Sequence, residues 1–150
     1  ENNRYVAYNY RENHWSIGEL ARTAANDAGV FVYPNMVAPD SKIYEHEVGF
    51  DYDAATVFAE SGPIEIGTGD RLMVAKSLIP DEKTQGDVIA KFKTRLYPNA
   101  TESTHGPYTM ANPTSVRFTG RQVEMRVEGN RGADWRVGTM RLDVAQGSRR

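Results

Sequence analysis

Two short stretches contain side chains of the types that hold metal ions or transfer protons. Glu45, His46 and Glu47 are consecutive, and Asp51 and Asp53 are one residue apart. On a strand, neighbouring side chains point to opposite faces, so at most the two glutamates converge and the histidine faces away. The aspartate pair lacks the following glycine and the distal glutamate of a calcium loop. We therefore predict no metal ion at either stretch.

The sequence also lacks the residue patterns that are typical of nucleophilic catalysis and of phosphate binding. The three histidines, His14, His46 and His105, stand in unrelated contexts, and the nucleophile-elbow pattern G-x-S-x-G does not occur. The glycine-rich turn Gly67–Asp70 contains no lysine and precedes a strand pattern, unlike a phosphate-binding loop. The chain has no cysteine, which excludes disulfides and thiolate metal sites. The sequence predicts a protein that is not an enzyme, with no catalytic residues and no cofactors.

Arginine is concentrated in the last part of the chain. Residues 115–150 contain eight arginines and no lysine against four acidic residues, a net charge of +4, which leaves −6 for residues 1–114. Arg126, Arg136 and Arg141 alternate with apolar residues, so we predict that they form ion pairs on exposed sheet faces. The carboxylates that they meet could belong to the same segment, to residues 1–114 or to a neighbouring subunit. The alternative role for these arginines is contact with nucleic-acid phosphates. The acidic residues of the segment are Glu124, Glu128, Asp134 and Asp143.

Alternation of apolar and polar residues predicts strands along nearly the whole chain. In Asp87–Leu96 one face is apolar and the other carries Lys91, Lys93 and Arg95, which is typical of a sheet with one wet side. The apolar face consists of Val88, Ala90, Phe92, Thr94 and Leu96. Further strand patterns cover Arg4–Tyr10, Lys42–Gly49, Thr56–Glu60, Asp70–Pro80, Ser115–Gly120 and Gln122–Glu128.

The turn at Gly129–Gly132 predicts a hairpin between Gln122–Glu128 and Trp135–Val144, because both glycines tolerate positive φ. Two other segments are less regular. Glu19–Ala28 fits either a short helix or a loop and strand, and Tyr97–Pro113 is predicted to be a long loop. The predicted core anchors are Trp15, Phe118 and Trp135.

Taken together, the patterns predict an all-β fold of multi-stranded antiparallel sheets, in which a sandwich, a barrel and a propeller remain open. A chain of 150 residues is predicted to form a single β-rich domain over residues 1–150. No stretch approaches the ~18 consecutive apolar residues of a membrane helix, so no membrane insertion is expected. The chain begins without methionine and within a strand pattern. We expect it to be the C-terminal portion of a longer polypeptide whose other segments complete the fold.

The run FTGRQVEMRVEGNRGADWRVGTMRLDVAQGSRR resembles the C-terminal signature of tail nozzle proteins of short-tailed bacteriophages. These are also described as tail tubular, tail hub or packaged-DNA stabilisation proteins. The stretches IYEHEVGFDYD and FAESGPIEIGTGDRLM resemble the propeller-and-sheet region of the same family. The likeness is most specific at Phe118–Arg126 and Asp134–Asp143, and it departs at Ser148, where a second glycine is usual.

The resemblance implies a virion structural protein in the phage tail, with a β-propeller and without catalytic residues. Its subunits are expected to form a homo-oligomeric ring, commonly a hexamer, next to adaptor and portal-side tail proteins. The ring would extend the DNA channel and hold packaged DNA transiently until ejection. The alternative is a β-sandwich module of a phage tail that binds host glycans through the tyrosine-rich loops around Tyr97–Tyr108.

Overall fold

The structure is a computed structural model that describes residues 3–27, 29–51, 56–65, 71–81, 83–110, 113–130 and 132–149. Within these ranges every regular element is a strand and the paired strands are antiparallel, so the all-β prediction is confirmed. The described part contains no helix of the length and apolarity needed to cross a membrane. The strands are β1 Arg4–Asn9, β2 His14–Glu19, β3 Ala24–Asn26, β4 Asn35–Val37, β5 Ile43–Glu45, β6 Val57–Glu60, β7 Ile64–Glu65, β8 Arg71–Pro80, β9 Val88–Arg95, β10 Ser103–Thr109, β11 Thr114–Gly120, β12 Gln122–Gly129 and β13 Met140–Arg149.

The contacts divide the chain into two compact units, residues 1–54 and 55–150. In the first unit, β1 and β2 form an antiparallel hairpin, and β3, β4 and β5 form a three-stranded sheet. Opposite residues of the hairpin share a face, which places Val6 beside Ile17 and Tyr8 beside Trp15. The Tyr8 and Trp15 rings lie 4.5 Å apart, centroid to centroid.

Trp15 is not the core anchor that the sequence predicted. Its side chain is 69% exposed, and its apolar neighbours on the same face are exposed as well. Alternation within β1 and β2 gives the hairpin an apolar face, but burial also needs a second layer over that face. In this chain that layer is missing from the described residues around Trp15.

The segment Glu19–Ala28, for which the sequence allowed either a helix or a loop and strand, contains the strand β3. β3 pairs with β4, and the backbone N–H of Thr23 donates to the carbonyl of Val37 at 2.9 Å. The Thr23 hydroxyl donates to the same carbonyl at 3.2 Å. Sheet hydrogen bonds thus replace the helical ones at this point. The residue at the end of the candidate helix, Ala28, lies outside the described residues.

In the second unit, two sheets face each other across one core. The larger sheet has the strand order β10-β9-β12-β6, with β7 also paired to β12, and the smaller has the order β11-β8-β13. Phe118 is buried, as predicted, and its ring centroid lies 4.8 Å from that of Phe92 on the opposite sheet. The sheets approach so closely that a Cβ atom on Gly120 would lie 2.8 Å from the Cβ of Thr94. The central core cluster comprises Ala75, Leu78, Ala90, Phe92, Val116, Phe118 and Val123.

The predicted alternation of Asp87–Leu96 is confirmed in β9. Val88, Ala90, Phe92 and Thr94 are buried, and the three basic residues of the other face are only partly exposed. β9 is central in its sheet, with β10 on one side and β12 on the other. Its apolar face therefore supplies the middle of the core.

The predicted hairpin between Gln122–Glu128 and Trp135–Val144 is wrong. β12 pairs with β9, β6 and β7, whereas β13 pairs with β8 in the opposite sheet. The chain between them crosses from one layer to the other, so the glycines do not close a two-strand turn. Arg131, within the predicted turn, lies outside the described residues.

The segment between β12 and β13 is held in place by a close contact to glycine and by hydrogen bonds. Trp135 is half-buried, and its indole lies against Gly129 so tightly that a Cβ atom there would overlap the ring. Arg136 exchanges two backbone hydrogen bonds with Gln85, of 2.9 and 3.0 Å. Asp81 accepts from the backbone N–H of Thr139 at 2.9 Å, and this bond lowers the pKa of its carboxyl. Trp135 is thus a packing residue of the layer crossing, and not of a hairpin.

The long loop predicted for Tyr97–Pro113 is interrupted by a strand. Residues 103–109 form β10, which pairs with β9 from Ser103 opposite Thr94 to Thr109 opposite Ile89. The second half of the proposed tyrosine-rich stretch Tyr97–Tyr108 therefore lies in an edge strand of the larger sheet. Residues 111 and 112 lie outside the described part.

Candidate functional site

The outward face of the larger sheet carries a set of opposite charges that contact one another, which we call the charge lattice. Its positions follow from strand alternation, since the inward side chains of β9 and β12 fill the core and the charged ones must point the other way. Four members are basic and four are acidic, so the set is formally neutral. The lattice comprises Glu60, Lys91, Lys93, Arg95, Glu102, Glu124, Arg126 and Glu128.

Glu128 is the most buried member of the lattice and bridges two cations. Its residue is only 8% exposed. One carboxylate oxygen accepts from Lys91 Nζ at 2.7 Å, and the other accepts from Arg126 Nε at 2.6 Å. Lys91 and Arg126 are directly opposite in the β9–β12 register, where two like charges repel. Glu128 therefore compensates a repulsion that the strand pairing itself creates.

Arg126 is the predicted arginine that the structure places in ion pairs. Besides Glu128, it contacts Glu60 on the neighbouring strand β6, with 3.3 Å between the nearest guanidinium and carboxylate atoms. Its guanidinium also lies over the ring of Phe58, 3.5 Å from the centroid. A planar, delocalised cation suits this combination of carboxylate pairing and aromatic stacking. The partners lie within this chain, on the same sheet.

The other half of the lattice joins β9 to β6, to β12 and to the segment before β10. Lys93 donates to Glu60 and lies 3.9 Å from Glu124. Arg95 contacts Glu124 at 2.9 Å and also pairs with Glu102. These contacts alternate in sign across three strands, which is the arrangement in which partly exposed ion pairs contribute to stability.

Arg136 and Arg141 lie apart from the lattice. Both side chains are exposed, and neither contacts a carboxylate within 4.0 Å among the described residues. Arg141 lies on β13 in the smaller sheet, opposite Ile79, and Arg136 lies in the layer-crossing segment. The sequence grouped three arginines by their alternation, but the sheets separate them.

The metal and acid–base candidates do not come together either. In the described part of the chain, no group of three or more metal-ligating side chains is close enough to hold an ion. His46 Nε2 accepts from Arg22 Nε at 3.1 Å, and the Arg22 guanidinium lies 4.7 Å from the centroid of the Tyr44 ring. Asp53 and Gly67–Asp70 lie outside the described residues.

Hydrogen bonding from the cations stabilises the ionised carboxylates of the lattice. The Lys93 ammonium lowers the pKa of Glu60, and Lys91 followed by Arg126 lowers the pKa of Glu128. The bond to Glu60 in turn raises the pKa of Lys93. The charged forms of Glu60, Lys93 and Glu128 are thus favoured, which suits a structural role for these three groups.

These pKa shifts predict that the second unit loses stability in acid. Because the folded pKa values of Glu60 and Glu128 lie below the ordinary 4.5, their contribution is complete above that pH and disappears as the pH falls through the folded values. Urea unfolding between about pH 7 and about pH 3 should show a flat region and then a decline below about pH 4.5. A Glu128→Gln variant should show a shallower decline. An equally steep decline in that variant would contradict the assignment.

Sequence alternation indicated which residues face outward on β9 and β12, but it did not identify the lattice. The missing information was the register, which sets Glu124 opposite Lys93 and Arg126 opposite Lys91. Glu60 was not singled out at all, because its strand is short and only its pairing with β12 brings it near Arg126. Opposite charge patterns on two neighbouring strand predictions were the available signal. No protein-family model matches this chain, and no curated protein matches it.

Proposed function

We propose that this chain belongs to a virion structural protein of a phage tail, a nozzle subunit that assembles with copies of itself into a ring. In this proposal its antiparallel sheets are part of a β-propeller completed by other segments. The ring extends the DNA channel and helps to retain and then release packaged DNA. In this proposal the protein acts through the geometry of its assembly and not through a chemical reaction. The paired charges of the lattice agree with such a structural role.

The observation that carries the proposal is the exposed apolar face of the β1–β2 hairpin, which we call the apolar stripe. Val6 is 66% exposed, Ile17 82%, Tyr8 46% and Trp15 69%, and the two cross-strand pairs lie side by side. Contiguous apolar surface of this kind is rare on monomeric proteins and marks an interface. In a closed ring, each subunit buries one patch against a different patch of the next subunit. The apolar stripe is one half of such a contact.

The resemblance of the Phe118–Arg126 and Asp134–Asp143 stretches to the tail nozzle family supports the same assignment. The charge distribution also fits it, because residues 115–150 carry +4 and residues 1–114 carry −6. Segments of opposite net charge on one chain are compatible with head-to-tail association, in which two different patches meet.

Assembly can be tested by changing the apolar stripe alone. A Trp15→Ser, Ile17→Thr double variant should reduce the ring fraction by about tenfold or more, because loss of buried apolar contact weakens each of several interfaces. Mass photometry and electron microscopy of the purified protein would measure it. Ser16→Thr, on the opposite face of the same hairpin, is the matched control and should assemble normally. Rings that form equally well in the double variant would refute this interface, and a wild-type protein that stays monomeric at high concentration would refute the ring.

A further inference from the structure

A groove of about 670 Å³ lies on the second unit where the smaller sheet is irregular. The pairing of β11 with β8 shifts between Ser115 and Phe118, and the pairing of β13 with β8 shifts between Asp143 and Val144. Both irregularities lie at Lys76, which has no partner in either register. β-bulges re-aim side chains and are frequent at functional sites. The groove is lined by Val74, Ala75, Lys76, His105, Ser115, Arg117, Phe118 and Thr119.

The charge of the groove is one-sided. Lys76 and Arg117 are exposed, and neither has a carboxylate within 4.0 Å among the described residues. None of the lining residues is acidic. Asp143, on the neighbouring strand, pairs with Ser77 in register and is not part of the lining. The larger sheet differs, because each of its lattice cations meets a carboxylate. Two unpaired cations at one concave site favour an anionic ligand.

The neutral polar groups of the groove are also suited to an oxyanion. Ser115 and Thr119 carry hydroxyls that donate hydrogen bonds to anionic oxygens. His105 is stacked on Phe118, with 5.3 Å between ring centroids, and its Nε2 lies 2.9 Å from the Thr94 hydroxyl. These two contacts fix the imidazole, and burial lowers its pKa. His105 therefore stands in the wall as a positioned neutral group beside the two cations.

We propose that this groove binds a small molecule that carries a phosphate ester group. Arg117 and Lys76 would contact the phosphate, since guanidinium and ammonium groups both pair strongly with it. The volume lies within the range of about 300–1,000 Å³ that is usual for small-ligand pockets and leaves room for more than the phosphate. Among the apolar lining residues, Val74 is partly exposed and offers a contact for the rest of the ligand. This binding activity goes beyond the structural role proposed for the chain and does not depend on it.

The test uses the whole chain, with inorganic phosphate and adenosine monophosphate as probes. Titration followed by NMR should shift the imidazole signals of His105 and leave those of His14 and His46, in the other unit, in place. The monophosphate should bind more tightly than inorganic phosphate because its nucleoside adds contacts in the rest of the groove, including Val74. Arg117→Gln and Lys76→Gln should each weaken binding by about tenfold, the usual effect of losing one charge-assisted contact.

Arg141→Gln is the matched control, since Arg141 is exposed on the same sheet, has no carboxylate partner among the described residues and does not line the groove. It should leave the affinity unchanged. If Arg141→Gln lost as much affinity as Arg117→Gln and Lys76→Gln, the binding would reflect general charge attraction, and the proposal would be overturned. Absence of any His105 shift at millimolar probe would also overturn it. A single-stranded oligonucleotide without terminal phosphates is the third probe. If it bound more tightly than the monophosphate, the groove would be a polynucleotide site and the proposal of a small ligand would be overturned.

Discussion

Replacing Phe92 with alanine should lower the free energy of unfolding of residues 55–150 by about 3–5 kcal/mol, the usual loss for a large buried aromatic side chain. Phe92 is 1% exposed and lies in the middle of the core. Its ring packs against Phe118 of the opposite sheet at 4.8 Å and lies 6.1 Å from the ring of Tyr108. Its removal takes away the contact that joins the two sheets at their centre. The strands around the cavity are hydrogen-bonded to their neighbours, so they cannot move inward easily to fill it.

Urea unfolding of the full chain measures this effect cleanly in a Trp15→Phe background. The chain has two tryptophans, so Trp135 then reports on the second unit alone. Phe92→Leu should cost clearly less, because volume is nearly preserved. Tyr97→Ala removes an aromatic side chain that is 54% exposed and should change the free energy by less than about 0.5 kcal/mol. If Phe92→Ala behaved like Tyr97→Ala, the two sheets would not share the core described above.

The second large effect is expected at Glu128. Glu128→Ala should cost about 2–3 kcal/mol, below the 3–5 typical of breaking a fully buried ion pair, because its partners remain partly in water. The Lys91 side chain is 33% exposed and the Arg126 side chain 25%. Without the carboxylate, these two cations face each other across the β9–β12 register with nothing between them. The loss combines their repulsion with the desolvation of both charges.

A double-mutant cycle separates this explanation from simple loss of packing. In a Lys91→Met background the opposing cation is absent and Arg126 keeps its contact with Glu60, so Glu128→Ala should be less harmful there, with a coupling of about 1 kcal/mol or more. Glu65→Ala breaks a pair with Arg121 in which the glutamate side chain is 53% exposed, and it should cost less than about 0.5 kcal/mol. Equal costs of Glu128→Ala in both backgrounds would show that charge compensation is not its role.

Local sequence pattern predicted what depends on one strand at a time. The period of two in β9 gave both the buried face and the charged face, because each strand residue has only two directions available. Phe118 follows the same rule in β11, where its alternation with exposed residues places it inside. Trp15 obeys the pattern too, but a pattern shows only that a face is apolar. Whether another layer covers that face depends on partners far away in sequence or on another chain.

Pairing between strands was the part that sequence could not supply. Gln122–Gly129 and Met140–Arg149 are neighbours along the chain with glycines between them, which favours a hairpin by every local criterion. Tertiary packing prevails, because Trp135 is seated on Gly129 and Asp81 ties Thr139 to the other layer. The charge lattice was hidden for the same reason, since it exists only in one register of β9, β12 and β6.

The strand order of the smaller sheet also sets the time course of folding. β8 is its central strand, and both partners, β11 and β13, come after the strands β9 and β10 of the other sheet. β8 therefore has no neighbour in the chain with which to form an early ladder. Long loops must close before its hydrogen bonds form, which slows folding and leaves two unpaired edges exposed meanwhile. The second unit is thus expected to fold in one late step, with β8 as the segment most exposed to aggregation until β13 docks.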